Sequence, residues 1–272
     1  MSEPSDPSHP EPGGMRTPGP AVDAAPGPVV AGGVGTDRVG VVPARWGFGA
    51  YLLAEAVFLS ASALLVLPYM GRGADVRPPP VVLVLGLVVP TVLAATVALS
   101  ATWLRGNGPS IDLGLRFDRT DLLRGLAFGG AGILLTVPAA TVWAWVVGPD
   151  HASSAVADVF TKQPFPLPLA LAVFLVVWLV APVCEEIVYR GLLWGAACRH
   201  GASPRIAFGL TTLLFALAHF EVTRTPLLLV IAVPIGLARL VTDRLGASIV
   251  AHQVNNLLPA ASLLMVQLGV LH

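Results

Sequence analysis

The sequence predicts an all-α fold, a polytopic bundle of transmembrane helices with about seven spans, within a range of six to eight. Of its 272 residues 55% are hydrophobic and only 12% are charged, whereas about 25% of a soluble domain is charged. Apolar runs of roughly 17–25 residues recur, each long enough to cross about 30 Å of hydrocarbon as a helix. The formal net charge is zero, so there is no overall excess of positive charge that would indicate a nucleic-acid partner.

The first 44 residues differ from the remainder. Residues 1–44 are rich in Pro and Gly and carry scattered charges, a composition that buries too little apolar surface to fold. We expect a disordered tail. No basic cluster precedes a compact apolar core, so the tail does not read as a signal peptide.

The apolar runs define the predicted spans. Residues 45–164 are expected to form N-terminal transmembrane helices and residues 165–272 a second group. The fourth run exceeds one perpendicular span and contains Pro182, which removes a backbone hydrogen bond, so we expect a kink or break just before Glu185. The runs lie near 47–70, 80–104, 122–148, 166–198, 204–220, 225–243 and 247–270.

Basic residues in the short loops predict the orientation. With seven spans, one side of the membrane collects Arg38, Arg45, Arg105, Arg116, Arg119, Arg124, Arg199, Arg205, Arg239 and Arg244. The other side holds Arg72, Arg77, Lys162 and Arg224. The positive-inside rule then places the N-terminus in the cytoplasm and the C-terminus outside. The predicted protein is a multi-pass protein of the cell membrane with a cytoplasmic N-terminal tail.

Two acids and a base interrupt the fourth span. A charge at mid-membrane costs roughly 2.5–3.5 kcal/mol, so Glu185, Glu186 and Arg190 mark a candidate functional site. Glu186 and Arg190 are four residues apart and share a helix face, which favours an ion pair. Glu185 points about 100° away from Glu186 around the helix axis. We expect it to face a cavity and to act as a general base. The alternative is a buried ion-pair cluster that only fixes helix packing.

Later spans add imidazoles and an amide. His219 ends one apolar run, and His252 and Asn256 share a helix face in the last run. Taken singly, each is more often a hydrogen-bonded structural side chain. Together with Glu185 they supply the base, the proton donor and the oxyanion donors that peptide hydrolysis requires.

Three motifs follow one another on successive spans, and in this order they resemble the CPBP family. This family comprises type II CAAX prenyl endopeptidases and bacterial relatives linked to bacteriocin processing and self-immunity, also called the Abi family. The resemblance covers roughly residues 165–265. The motifs are Glu185-Glu186-x-x-x-Arg190, Phe215-x-x-x-His219 and His252-x-x-x-Asn256.

The resemblance implies an intramembrane endopeptidase with its catalytic core in residues 165–272. Glu185 would act with His219 to activate water, and His252 and Asn256 would line the oxyanion site. Glu186 and its arginine partner would support them. The expected partners are membrane lipids and a peptide or protein substrate, with or without a lipid modification, and no nucleic acid.

The family is often labelled a metalloprotease, and Glu185, His219 and His252 are the residues that could ligate Zn²⁺. The chain contains no His-Glu-x-x-His helix, and a Glu–His pair can activate water without a metal. We therefore expect no obligatory cofactor, with Zn²⁺ as the open alternative.

Two other functions are consistent with the same residues. The first is a non-catalytic membrane immunity or peptide-binding protein that keeps the polar cluster for packing. The second is a small secondary transporter that uses Glu55, Glu185 and Glu186 as proton sites. No inverted repeat relates the two halves of the chain, which disfavours the transporter.

Overall fold

The computed structural model describes residues 43–70 and 77–271, without the side chains of 149 and 150. Every regular element in these residues is helical, which confirms the all-α prediction. The predicted disordered tail lies outside the described residues, except for its last two positions.

Six helices and one 3₁₀ turn precede, among the described residues, the segment that holds the motifs. Helix α1 is Phe48–Val66, followed by a 3₁₀ turn at Leu67–Tyr69. The others are α2 (Pro80–Arg105), α3 (Pro109–Asp112), α4 (Arg119–Val147), α5 (Pro149–Ala152) and α6 (Ala155–Thr161).

Four helices make up the segment that holds the motifs. They are α7 (Leu167–Arg199), α8 (Pro204–Leu217), α9 (Thr225–Thr242) and α10 (Leu245–Gln267).

Six of the described helices are long and apolar enough to cross a membrane, namely α1, α2, α4, α7, α9 and α10. Their bounds lie within four residues of the predicted runs. The run predicted at 204–220 forms the shorter α8, which has 14 residues. At about 1.5 Å per residue such a helix is shorter than the hydrocarbon layer. The described residues are therefore those of a multi-pass membrane protein, with six long apolar helices and one shorter apolar helix of 10–17 residues.

Helix α7 runs unbroken through Pro182, so of the kink or break predicted just before Glu185 the break does not occur. A π-helical segment at Val176–Val180 precedes the proline, and a second one at Ile187–Leu193 follows the acidic pair. In the first of them the Ala181 N–H bonds to the carbonyl of Val176. Pro182 has no N–H to donate, and the wider π turn accommodates it without interrupting the helix. Such π segments are frequent at functional sites.

Glycines bring α4 unusually close to α10. A Cβ added at Gly125 or Gly129 would lie 2.4 or 2.6 Å from the Cβ of Val250 or Val254, distances that no folded side chain tolerates. Small residues four apart are typical of closely packed membrane helices. Close packing along α4 therefore fixes the position of α10, which carries two of the candidate site residues.

Salt bridges join the starts of α4 and α10. Asp118 and Asp121 form a reciprocal capping box at the start of α4, and Arg244, just before α10, pairs with both carboxylates. The backbone N–H of Asp121 lowers the pKa of the Asp118 carboxyl. The starts of these two helices are thus held together.

Candidate active site

The predicted ion pair is present on the buried side of α7. Glu186 and Arg190 are both 0% exposed, with Arg190 Nη1 2.9 Å from Glu186 Oε1. The Arg190 guanidinium also lies 4.4 Å from the centroid of the Phe215 ring. Removing either charge would leave the other buried without a partner, an arrangement that is strongly destabilising.

His252 completes this buried network. It is 3% exposed, and its Nδ1 lies 3.0 Å from Glu186 Oε1. An ionised carboxylate only accepts hydrogen bonds, so Nδ1 is the donor and carries the proton. Sequence reasoning missed this bond because its partners are 66 positions apart and no local spacing relates them.

Glu185 occupies a different environment from Glu186. It lines a cavity of about 260 Å³ that also contains His219, and its side chain is 27% exposed. This confirms the prediction that Glu185 turns away from Glu186 towards a cavity. A water molecule takes about 30 Å³, so the space admits several waters or part of a substrate.

His252 connects the two glutamates. Its Nε2 lies 3.6 Å from Glu185 Oε2, while its Nδ1 is held by Glu186. The buried ion pair therefore orients the imidazole, and the imidazole presents its second nitrogen to the carboxylate at the cavity. A carboxylate that orients a histidine in this way fixes both the tautomer and the direction of the ring.

His219 lies beyond the end of α8. Its Nδ1 is 2.8 Å from the carbonyl oxygen of Phe215, and since a carbonyl only accepts, Nδ1 carries the proton. In the neutral ring Nε2 then holds the lone pair. The Phe215 ring contacts both imidazoles edge-on, with centroids 4.8 Å from His219 and 5.5 Å from His252.

Asn256 is placed apart from these groups. Its Nδ2 donates to the carbonyl oxygen of Val177 at 3.1 Å, within the first π-helical segment of α7, and it is not among the residues that line the cavity. The structure thus brings together Glu185, His219 and His252, whereas Asn256 lies one turn further along α10. The amide keeps a second N–H, which the Val177 bond does not use.

Two further carboxylates line the cavity. Glu221 accepts a hydrogen bond from the Ala155 N–H at 2.6 Å and pairs with Arg224. Glu55, from α1, contributes a carboxylate with one buried oxygen that lacks a hydrogen-bond partner. Sequence reasoning noticed Glu55 as a lone acid but had no means of placing α1 against α7.

The three suggested metal ligands were compared with the spacing that a metal site requires. No group of three His, Cys, Asp or Glu side chains among the described residues has the spacing of a metal site. Of the three suggested ligands, His252 has its Nδ1 bound to Glu186 and its Nε2 turned to the Glu185 carboxylate. The reaction steps below are derived from the protein groups alone.

Comparison with known families gives one match. Residues 167–258 match the family described as "Type II CAAX prenyl endopeptidase Rce1-like". The comparisons with curated proteins and with solved structures give no significant match. The matched segment is less than half of the chain, and it contains all six predicted site residues but not Glu55. Over residues 167–258 the chain is therefore similar to the Rce1-like family of type II CAAX prenyl endopeptidases.

Proposed function

We propose that this protein is an intramembrane endopeptidase that hydrolyses a peptide bond in a membrane-proximal peptide or protein tail. The observation that carries the proposal is the shared cavity of Glu185 and His219, with His252 3.6 Å from Glu185 on its other side. The match to a family of CAAX prenyl endopeptidases supports the same reaction.

The first step is activation of water. A water molecule in the cavity donates one proton towards Glu185, and His219 Nε2 accepts a hydrogen bond from the same water because His219 Nδ1 is occupied by the Phe215 carbonyl. The developing hydroxide attacks the carbonyl carbon of the scissile bond. A positioned base of this kind contributes about 10²–10⁴-fold to a rate.

The second step is collapse of the tetrahedral intermediate. Glu185 returns the proton it took from water to the leaving nitrogen, and the C–N bond breaks to give an acid and an amine. His252 Nε2, when it carries a proton, donates to the oxyanion, and the second N–H of Asn256 is the other proposed donor. Preorganised donors stabilise the intermediate because they need no reorientation as the charge develops.

The experiment compares peptidase activity in purified variants. The detergent-solubilised protein is incubated with a library of quenched fluorescent peptides anchored near a lipid surface. We expect activity in the wild type and in Thr91→Val, a cavity residue whose hydroxyl donates only to the Leu87 carbonyl. Glu185→Ala and His219→Ala should each lose it. Activity that persists in both of these variants would overturn the proposal.

Metal dependence is tested in the same assay. We propose that no metal is obligatory, so activity should survive a strong chelator. Loss of activity on chelation, with recovery on addition of Zn²⁺, would instead establish a metalloprotease and would require Glu185, His219 and His252 to rearrange.

A non-catalytic immunity or peptide-binding protein of the same fold is the second candidate. The observation that favours it is the bond from Asn256 to the Val177 carbonyl, which gives that amide a packing role. This candidate predicts that Glu185→Gln keeps the biological phenotype, whereas the endopeptidase predicts its loss.

The cytoplasmic N-terminus is also our proposal. It rests on exposed arginines at one end of the helices, including Arg45, Arg105 and Arg119. Reporter fusions at residue 40 and at residue 78 should report opposite sides of the membrane, with the first on the cytoplasmic side. The reverse pattern would contradict the orientation.

A further inference from the structure

Glu55 brings a carboxylate from outside the matched segment into the proposed active-site cavity. It lies on α1, near the middle of a helix long enough to cross the membrane, and it lines the same cavity as Glu185 and His219. One of its carboxylate oxygens is buried and has no hydrogen-bond partner.

Glu55 differs from the other acidic side chains that the structure describes. Each of the others lies within 4.0 Å of an Arg, Lys or His nitrogen, whereas Glu55 has no such partner. The pairs are Asp112–Arg199, Asp118–Arg244, Asp121–Arg244, Asp158–Lys162, Glu185–His252, Glu186–Arg190, Glu221–Arg224 and Asp243–Arg239.

The surroundings of Glu55 do not supply the missing charge. The nearby hydroxyls of Tyr51 and Tyr189 interact with its carboxylate, but a neutral hydroxyl does not neutralise a charge. Among the described residues that line the cavity there is no Lys or Arg, and the imidazole of His219 is the only basic group. A buried carboxylate oxygen without a hydrogen-bond partner is unfavourable, so a cationic group that entered this cavity and donated a hydrogen bond to it would be bound favourably.

We infer that Glu55 binds a positively charged group of the substrate, the side chain of a Lys or Arg residue close to the scissile bond. Bound there, the cation faces Glu55 while the neighbouring peptide bond reaches Glu185 and His219. The substrate class is therefore a membrane-proximal peptide with a basic residue beside its cleavage site, and Glu55 is a specificity-determining residue. This inference rests on the proposed peptidase function.

The test uses pairs of quenched peptides that differ only by Lys or norleucine at each position flanking the cleaved bond. Wild-type protein should show a kcat/KM about tenfold or more higher for the best Lys peptide, the range expected of a hydrogen bond to a charged group. In Glu55→Gln the kcat/KM of the Lys peptide should fall to that of the norleucine peptide, through a higher KM for the Lys peptide. Thr91→Val, in the same cavity, should keep the preference.

An unchanged Lys preference in folded Glu55→Gln would overturn the inference. If that variant does not fold, the wild-type comparison decides alone, and equal kcat/KM for the two peptides overturns it. Fluorescence anisotropy then measures binding of the same peptides to Glu185→Ala. This experiment separates the proposed role of Glu55 from the proposed peptidase function. Tighter binding of the Lys peptide supports the role of Glu55 even if no peptide is cleaved, whereas cleavage without Lys preference leaves the peptidase function standing and removes the inference.

Discussion

Glu185 and Glu186 are adjacent in sequence, yet α7 presents them to two different regions of the molecule. Glu186 is fully buried and bound to Arg190 and His252. Glu185 is 27% exposed, lines the cavity and lies 3.6 Å from His252. Consecutive helical residues differ by about 100° in direction, so one turn of helix supplies both a fixed internal pair and a carboxylate that can meet a substrate.

The buried ion pair positions a side chain that points towards Glu185 in the cavity. The Glu186–Arg190 pair holds the imidazole of His252 by its Nδ1, and the imidazole then presents Nε2 to Glu185. Buried charges in the first region are compensated within the protein. In the cavity, one carboxylate oxygen of Glu55 has no hydrogen-bond partner among the described residues. By our inference, it binds a positively charged group of a ligand.

Loss of Arg190 is expected to have the largest effect on the buried region. Arg190→Ala leaves Glu186 buried without its cation, so the free energy of unfolding should fall by about 3–5 kcal/mol. Denaturant unfolding in detergent, or yield of folded protein, measures this. Arg205→Ala, at an exposed position, is the control and should change stability by no more than about 0.5 kcal/mol. Equal stability of the two variants would show that the buried pair is dispensable.

Asn256→Ala tests whether α10 contributes a second oxyanion donor. If Asn256 is such a donor, its removal should lower kcat by about 10²–10³-fold, with little change in KM. The lost bond to the Val177 carbonyl should reduce stability by only about 0.5–1.5 kcal/mol. An unchanged kcat together with reduced stability would assign Asn256 to helix packing alone and restrict the active site to the cavity groups and His252.

Glycine substitutions on α4 test whether helix packing keeps His252 in place. In Gly129→Ala the added methyl group would meet Val254, and overpacking of this kind costs about 1–3 kcal/mol. We expect lower thermal stability and lower activity, because α10 must shift. Gly130, one residue further on, has open space around it, so Gly130→Ala is the matched control and should leave both unchanged. Similar behaviour of the two variants would contradict the role of close α4–α10 packing.

The bundle could be predicted because its signals are local. Apolar run length located the long helices, and four-residue spacing located the Glu186–Arg190 pair. His219 was expected near the end of a helix, and α8 ends two residues before it. These features depend on neighbours within a turn or two.

The remaining features depend on tertiary contacts, which the sequence does not display. The bond between His252 and Glu186 joins two helices, and the helical spacing of His252 and Asn256 suggested a shared face but not their separate partners. The π-helical turns around Pro182 replaced the predicted break. The place of Glu55 in the cavity requires α1 to pack beside α7, a contact that no motif records.

The most direct test of the account substitutes the two adjacent glutamates separately with glutamine. Glu185→Gln should fold with a stability within about 1 kcal/mol of the wild type, since its carboxylate is not part of the buried pair, and should lose peptidase activity by about 10²–10⁴-fold. Glu186→Gln should be destabilised by about 3–5 kcal/mol because Arg190 loses its counter-charge. Measuring thermal unfolding and peptide cleavage on both variants decides the matter: an active Glu185→Gln, or a Glu186→Gln as stable as the wild type, would contradict the division of α7 into a supporting side and a reacting side.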